Sequence, residues 1–370
     1  MQTLGIDLGT SNTVAAIENH VFEISDDGRT TLPSVVAFLP TGCVRVGTTA
    51  RRRRAIDGEN TIYSAKRIIG RGWDEEETAS FRERYPFHLV EDVRGTPLFV
   101  TRAGRHSAAQ IAGLVLMEVL KRVRSLPGEF TVQITVPAAF LGAQREATTE
   151  AAGLAGLRQV ELLDEPTATA YAYLTLPRST ERAVVYDLGG GTFDCAVIDC
   201  TGATPQTIAH VSDLCLGGDD IDWKLAGWVA NFVLEKHNWD LTNYSEIFDR
   251  LLARCEEAKI RLSHQYEAVV PLSQVDPECP VAGEGVTVTR RLLDELCTDL
   301  MRRSFVICDE TLRAAELRPS DIDSVFLAGG TTLLPMIQEG VRAYFGHPGL
   351  LEFPPTEVVA RGACLARRDA

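Results

Sequence analysis

With 370 residues, 45% of them hydrophobic and 24% charged, the chain is too long for one compact core and reads as a folded protein of two or more domains with a cleft. A formal charge of −14 sets its field against nucleic-acid phosphates, and neither an apolar run of about 18 residues nor a basic-then-apolar leader marks a membrane span or signal peptide. The expected setting is the cytoplasm, with no nucleic-acid or membrane partner; nine cysteines without a CxxC pair read as reduced and mostly buried, and no metal-ligand spacing joins them to the seven histidines.

The first element is a hairpin. Leu4 to Asp7 forms a short apolar strand, "LGTSN" turns it, and Thr13 to Ile17 returns it. Residues 38–104 carry more charge and read as an insertion, within which the Arg51 to Arg54 run is expected to be a solvated face rather than a targeting or acid-docking patch. Ser107 and Gln110 stand in capping-box spacing before a helix whose apolar residues cover most of its surface, as in a helix buried between layers. Val132, Ile134 and Val136 alternate along a strand that leaves at Pro137. An Ala-rich helix from about Ala143 to Ala155 follows, and "VELLDEPTATAYAY" is a strand turning at Pro166 into another helix.

Val184 to Asp187, "LGGGT" and Phe193 to Ile198 then repeat the opening hairpin, with Asp187 lying 180 residues after Asp7. Residues 219–299 read as a second insertion with long amphipathic helices, Ile247, Leu251, Cys255, Ala258 and Leu262 tracing one apolar stripe. "SVFLAGGTTLLPMI" is a strand, a double-glycine turn and a helix start. Strands alternating with helices make each half an α/β sandwich.

A glycine-rich turn points several backbone N–H groups at one anion without side-chain obstruction, and hydroxyls beside it add donors. Gly189, Gly190, Gly191 and Thr192 do this densely. The dinucleotide fingerprint GxGxxG is excluded because its last glycine falls on Asp194, and no GxxxxGK[ST] occurs. Asp7 and Asp187, at the carboxyl ends of their strands, are natural seats for a hydrated Mg²⁺ bridging phosphates. Two such hairpins facing each other make a two-jawed clamp for a triphosphate. Gly217-Gly218 and Gly329-Gly330 read either as loop punctuation or, for the second, as a close approach of backbone to ligand.

"GIDLGTSNTVAAI", "SAKRIIGR", "ITVPAAFLGAQREAT", "LLDEPTATAYAY", "VYDLGGGTFD", "LGGDDID", "CEEAKIRLS" and "LAGGTTLLPMI" resemble, in order and spacing, the nucleotide-binding domain of the heat shock protein 70 (DnaK-type) chaperones, from about Leu4 to Ala366. The resemblance implies the α/β actin-like ATPase fold, two lobes each with a duplicated ribonuclease-H-like core and an inserted subdomain, around a nucleotide cleft. Lobe I is expected at 1–177, with core 1–37 and 105–177 and insertion 38–104. Lobe II is expected at 178–370, with core 178–218 and 300–370 and insertion 219–299.

The resemblance also implies roles. Lys66 matches the lysine that reaches the γ-phosphate and attacking water, and Glu165 the carboxylate that orients or deprotonates that water. Read alone, Lys66 is a surface lysine and Glu165 a helix-start acid. Asp187 and Thr192 join the catalytic set. Gly9, Thr10, Ser11, Asn12, Gly189, Gly190, Gly191, Thr192, Gly217 and Gly218 match the phosphate loops. Glu256, Lys259 and Ser263, at i, i+3 and i+7, match ribose and adenine contacts, with Gly329, Gly330, Thr331 and Leu333. Asp7, Asp187 and Asp194 match carboxylates serving Mg²⁺ and monovalent cations such as K⁺. Pro137 and Arg145 match a relay of nucleotide state. The implied activity is slow Mg²⁺-dependent hydrolysis of ATP to ADP driving an open and closed switch, with a nucleotide exchange factor as partner. Rival readings are a nucleotide sensor, an actin-like scaffold or filament, and a sugar or acid kinase.

Departures matter as well. Leu333 stands where the family has an arginine covering the adenine, so a cation–π contribution is lost. Glu161 replaces an arginine used in docking the J-domain co-chaperone, which turns that site against an acidic motif. Thr356 replaces an aspartate. No Leu-rich acidic linker or β-sandwich peptide-binding domain is written up to Ala370, so client peptides are expected only of a chain carrying that domain.

Overall fold

The computed structural model describes residues 2–18, 20–123, 130–177, 180–281 and 283–366. The division expected between 177 and 178 and the end at Ala370 therefore lie outside the described residues. Two mixed sheets organise the chain. The first runs in the order Val160–Asp164, Phe130–Val136, Gln2–Leu8, Asn12–Ile17 and His20–Val21. Gln2–Leu8 pairs antiparallel with Asn12–Ile17 and parallel with Phe130–Val136, which pairs parallel with Val160–Asp164. The second runs Gln206–Asp213, Phe193–Asp199, Arg182–Leu188 and Ser324–Ala328, again antiparallel, antiparallel and parallel. A parallel bridge from Phe326 to Leu350 stands where the first sheet has its outer parallel strand. The chain thus builds one sheet plan twice.

Both sheets are covered on two faces, which is why their strands read as unbroken apolar runs: Val184, Val185 and Tyr186 are all fully buried. Ser107 and Gln110 exchange capping-box bonds at 2.9 and 3.2 Å and start the helix Ala108–Val123. That helix is less enclosed than expected. It buries Ile111, Val115, Leu116 and Val119 beside the helix Gly142–Leu154, but Met117 is partly exposed and Lys121 reaches solvent, so one rib faces water.

Between the two sheets lie two helices that have changed sides. Glu165–Tyr173 follows the last strand of the first sheet, yet Ala168, Ala170 and Ala172 pack in the cluster holding Val185 and Ile198 of the second. Val358–Leu365 follows the second sheet, yet Ala360 and Cys364 pack on Val14 and Ala16 of the first. Small residues permit the approach: a Cβ on Gly362 would lie 1.6 Å from the Ala168 carbonyl oxygen, and one on Gly5 2.5 Å from the Cys364 nitrogen.

Residues 38–104 form two small three-stranded sheets and the helix Glu76–Arg84; residues 219–299 are helical with one hairpin, Glu267–Pro271 with Gly285–Thr289. The arginine run corrects the sequence reading. Arg54 Nε donates to Asp249 Oδ1 at 3.0 Å and its guanidinium lies over the Tyr63 ring, while Arg51 pairs with Glu256 at 2.8 Å. The partners sit some 195 residues away along the chain, so local charge density could not reveal them. All nine cysteines are free thiols, six of them buried.

Candidate functional site

The two glycine hairpins meet across a cavity of about 330 Å³. Asp7, Gly9, Thr10, Ser11 and Asn12 line it from the first hairpin, and Asp187, Gly189, Gly190 and Thr192 from the second. The hairpins interlock. A Cβ on Gly190 would lie 1.9 Å from Ser11 Oγ, so the serine of one jaw fills the space the glycine of the other leaves. Gly191, Gly217 and Gly218 stand behind this wall: Gly218 N donates to Gly189 O at 3.0 Å, and a Cβ on Gly217 would meet the Gly190 backbone at 2.6 Å. Gly329 turns at φ +79°, where a Cβ would strike the Leu188 carbonyl oxygen at 2.3 Å, and Thr331 Oγ1 donates to Gly189 O at 2.8 Å. The double-glycine turns are thereby pinned to the second hairpin.

Lys66 and Glu165 meet at 2.7 Å on the cavity wall, 99 residues apart in sequence. Lys66 is aimed by an unusual turn. Ser64 adopts the left-handed conformation at φ 53°, and its hydroxyl donates to Asp219 Oδ2 at 3.0 Å, which holds the strained residue in place. Burial disfavours the Lys66 ammonium, yet Glu165 and Asp7 outweigh it and its pKa rises. Glu165, at the first turn of its helix, is buried.

Three aspartates surround this pair. Asp187 and Asp194 face each other in register across the second hairpin. Burial, then the charge of Glu165, pushes Asp7 and Asp194 each up to about 7; Asp187 is raised well above the ordinary carboxylate range by the same causes in the same order. Each of two has a hydroxyl donor, Thr135 to Asp7 at 3.3 Å and Ser212 to Asp194. Among the described residues no three His, Cys, Asp or Glu side chains converge to ligate one metal ion directly. The donor set instead fits a hydrated Mg²⁺ with bound polyphosphate: buried oxygens of mutually raised pKa that a divalent cation would relieve, opposite a glycine cradle that a Cβ would fill.

Glu256, Lys259, Ser263, Gly330 and Leu333 line the far end. Glu256 is held by Arg51, and Lys259 donates to Asp222 Oδ2 at 2.8 Å and Gly218 O at 2.9 Å. Burial opposes ionisation of Glu256, but Arg51 and Lys259 carry its pKa below the usual range. Pro137 lies on the segment between Phe130–Val136 and Gly142–Leu154, and Arg145 donates to Phe140 O and Asp164, the residue before Glu165. Sequence reasoning missed Ile260, Arg29, Thr31, His264 and Pro355, which also line the cavity. Ile260 was findable, since it completes the i, i+3, i+4, i+7 set begun by Glu256. The others come from loops with no periodic signal.

A family model described as Hsp70 protein matches residues 3–367. The chain is 36% identical over 372 residues to a chaperone protein dnaK of Emiliania huxleyi, covering 98% of this chain and 59% of that protein. No helix among the described residues is long and apolar enough to cross a membrane. The order of motifs, the twice-built sheet and the match over nearly the whole length agree: the chain belongs to the Hsp70 family.

Proposed function

We propose that the chain is the nucleotide-binding part of an Hsp70-like chaperone of actin-like fold, hydrolysing ATP slowly to time an open and closed switch between two lobes divided near residue 178. The observation that carries this reading is the Lys66–Glu165 pair, held at 2.7 Å on the wall of a cavity flanked by both glycine hairpins. The γ-phosphate is placed against Lys66, whose compact ammonium draws charge from the transferring group. Glu165 orients the attacking water and accepts its proton through the carboxylate that Lys66 keeps ionised. Thr10, Ser11 and Thr192 hydroxyls and the hairpin N–H groups hold the phosphates in line and exclude bulk water. Asp7, Asp187 and Asp194 would hold Mg²⁺ through its waters, and bound there the ion spreads phosphate charge; K⁺ would use the same carboxylates.

Turnover is slow because the cavity must open to release product, and the cross-links of Arg51 and Arg54 to Glu256 and Asp249 tie the walls together. An exchange factor would act by separating them. Glu161, exposed on the edge strand of the first sheet, opposes a J-domain partner with an acidic motif. The chain spans 59% of the dnaK relative, and client binding belongs to such longer chains. The test is single-turnover ATP hydrolysis with Mg²⁺. Lys66→Ala and Glu165→Ala are each expected to lower the rate by about 10²–10⁴-fold while nucleotide still binds. Tight binding with no hydrolysis by the unaltered chain would replace the ATPase reading with a nucleotide sensor.

A further inference from the structure

Away from the carboxylates the cavity wall changes character. The helix Ser245–Leu262 buries Leu251, Cys255, Ala258 and Leu262, and on a different face carries Glu256, Lys259 and Ile260, with Ser263 just beyond its end. Ile260 is 50% exposed although it lies in the cavity lining. Leu333 lines the same cavity from the turn Gly330–Leu333, together with Pro355. Single exposed apolar residues are ordinary. Two branched aliphatic side chains in one concave wall offer apolar area suited to a flat ring.

The polar groups of that region divide into those already committed and those without a fixed role. Glu256 accepts from Arg51 at 2.8 Å, and Lys259 donates to Asp222 and Gly218. Ser263, His264 and Thr356 remain in the lining. A hydroxyl both donates and accepts, and a neutral imidazole carries one donor and one acceptor. None of these side chains demands a donor or an acceptor from the ring opposite it.

We propose that Ile260 and Leu333 form an aliphatic clamp that grips a purine by its faces and does not read the substituent at its six-position, so that the site takes purine nucleoside triphosphates as a class. The inference rests on reading the cavity as a nucleotide site. Apolar contact is non-directional and scales with covered area, so it separates large rings from small ones but not an amino from an oxo group. A site that hydrogen-bonds one such group rejects the other by about 10⁴-fold, whereas an apolar pocket discriminates by roughly 10–200-fold at most.

The experiment titrates the chain, with Mg²⁺ present, with ATP, GTP, ITP, CTP and inorganic tripolyphosphate, and repeats the series on Ile260→Ser and Leu333→Ser. The three purine nucleotides are expected to bind within about tenfold of one another and more tightly than CTP, in line with apolar discrimination. Each serine variant should weaken ATP and GTP alike, by about five- to tenfold, and leave tripolyphosphate within about twofold, because only ring contact is lost. The nucleotide series on the unaltered chain is independent of how the variants fold, which circular dichroism checks. A preference for ATP over GTP above about a hundredfold overturns the proposal, since apolar fit does not supply it. So does a variant that weakens tripolyphosphate as much as ATP. Failure of tripolyphosphate and every nucleotide to bind overturns the nucleotide reading beneath it.

Discussion

The two hairpins share a plan and divide the labour. Gln2–Leu8 with Asn12–Ile17 brings one buried carboxylate, Asp7, and a tip of side-chain donors, Thr10, Ser11 and Asn12. Arg182–Leu188 with Phe193–Asp199 brings two carboxylates in register, Asp187 and Asp194, and a tip of bare backbone at Gly189, Gly190 and Gly191. Side-chain donors are directional and removable one at a time; a glycine cradle is a shape that any Cβ spoils. A duplicated unit can therefore diverge into a complementary pair, because the loss of bulk on one copy makes room for hydroxyls on the other.

The most direct way to break the pair is Gly190→Val. Its Cβ would sit 1.9 Å from Ser11 Oγ, so the jaws must part. Nucleotide affinity by calorimetry should fall by about a hundredfold, the scale of a 1 Å misplacement. Adding Ser11→Gly should recover part of the loss, and no recovery would mean that the two tips do not share that space. Gly362→Ala attacks the contact between the helices that have changed sides. With 1.6 Å to the Ala168 carbonyl oxygen, it should cost about 1–3 kcal/mol in thermal unfolding. Gly227→Ala, with nothing within 4 Å of its Cβ on the helix Gly218–His237, should instead stabilise by about 0.5–1 kcal/mol.

A smaller effect distinguishes the carboxylates by pH. Burial raises Asp7 from its usual 3.8 to about 7, so between those values the folded chain binds more protons than the unfolded chain and this group's contribution to stability is lost as pH rises. Without Mg²⁺, Asp7→Asn should melt about 1–3 °C higher than the unaltered chain at pH 7.5 and at nearly the same temperature at pH 4. Equal differences at both pH values would show that Asp7 is not enclosed as described. The smallest effects sharpen the symmetry. Ser212→Ala should weaken Mg²⁺-dependent nucleotide binding by about threefold and Thr135→Val by less, since the Ser212 bond to Asp194 is the closer of the two. The reverse order would assign the tighter carboxylate to the first jaw.

Short-range pattern made both hairpins, the Ser107 capping box and the helix starting at Glu165 legible in the sequence, because strand alternation, glycine turns and caps are local devices. The ion pairs were not. Lys66 alone reads as a surface lysine and gains its meaning from Glu165, 99 residues away. Arg54 reads as one of a solvated run and is enclosed by Asp249 and Tyr63. Ile260 was hidden for another reason: it lies off the buried stripe, and a single apolar residue outside the core carries no signal until the opposite wall is known.

The helices that have changed sides meet through a glycine against a carbonyl and through alanine methyls. Interdigitated leucines behave like gear teeth, which must disengage before one part turns against another. A contact of Gly362 on Ala168 behaves like a plain bearing, with surfaces close enough to support load and too smooth to index it. At that point the joint sets the distance between the two sheets firmly and their angle only weakly, so the energy that chooses the angle is left to what fills the cavity and to the arginine links at its mouth.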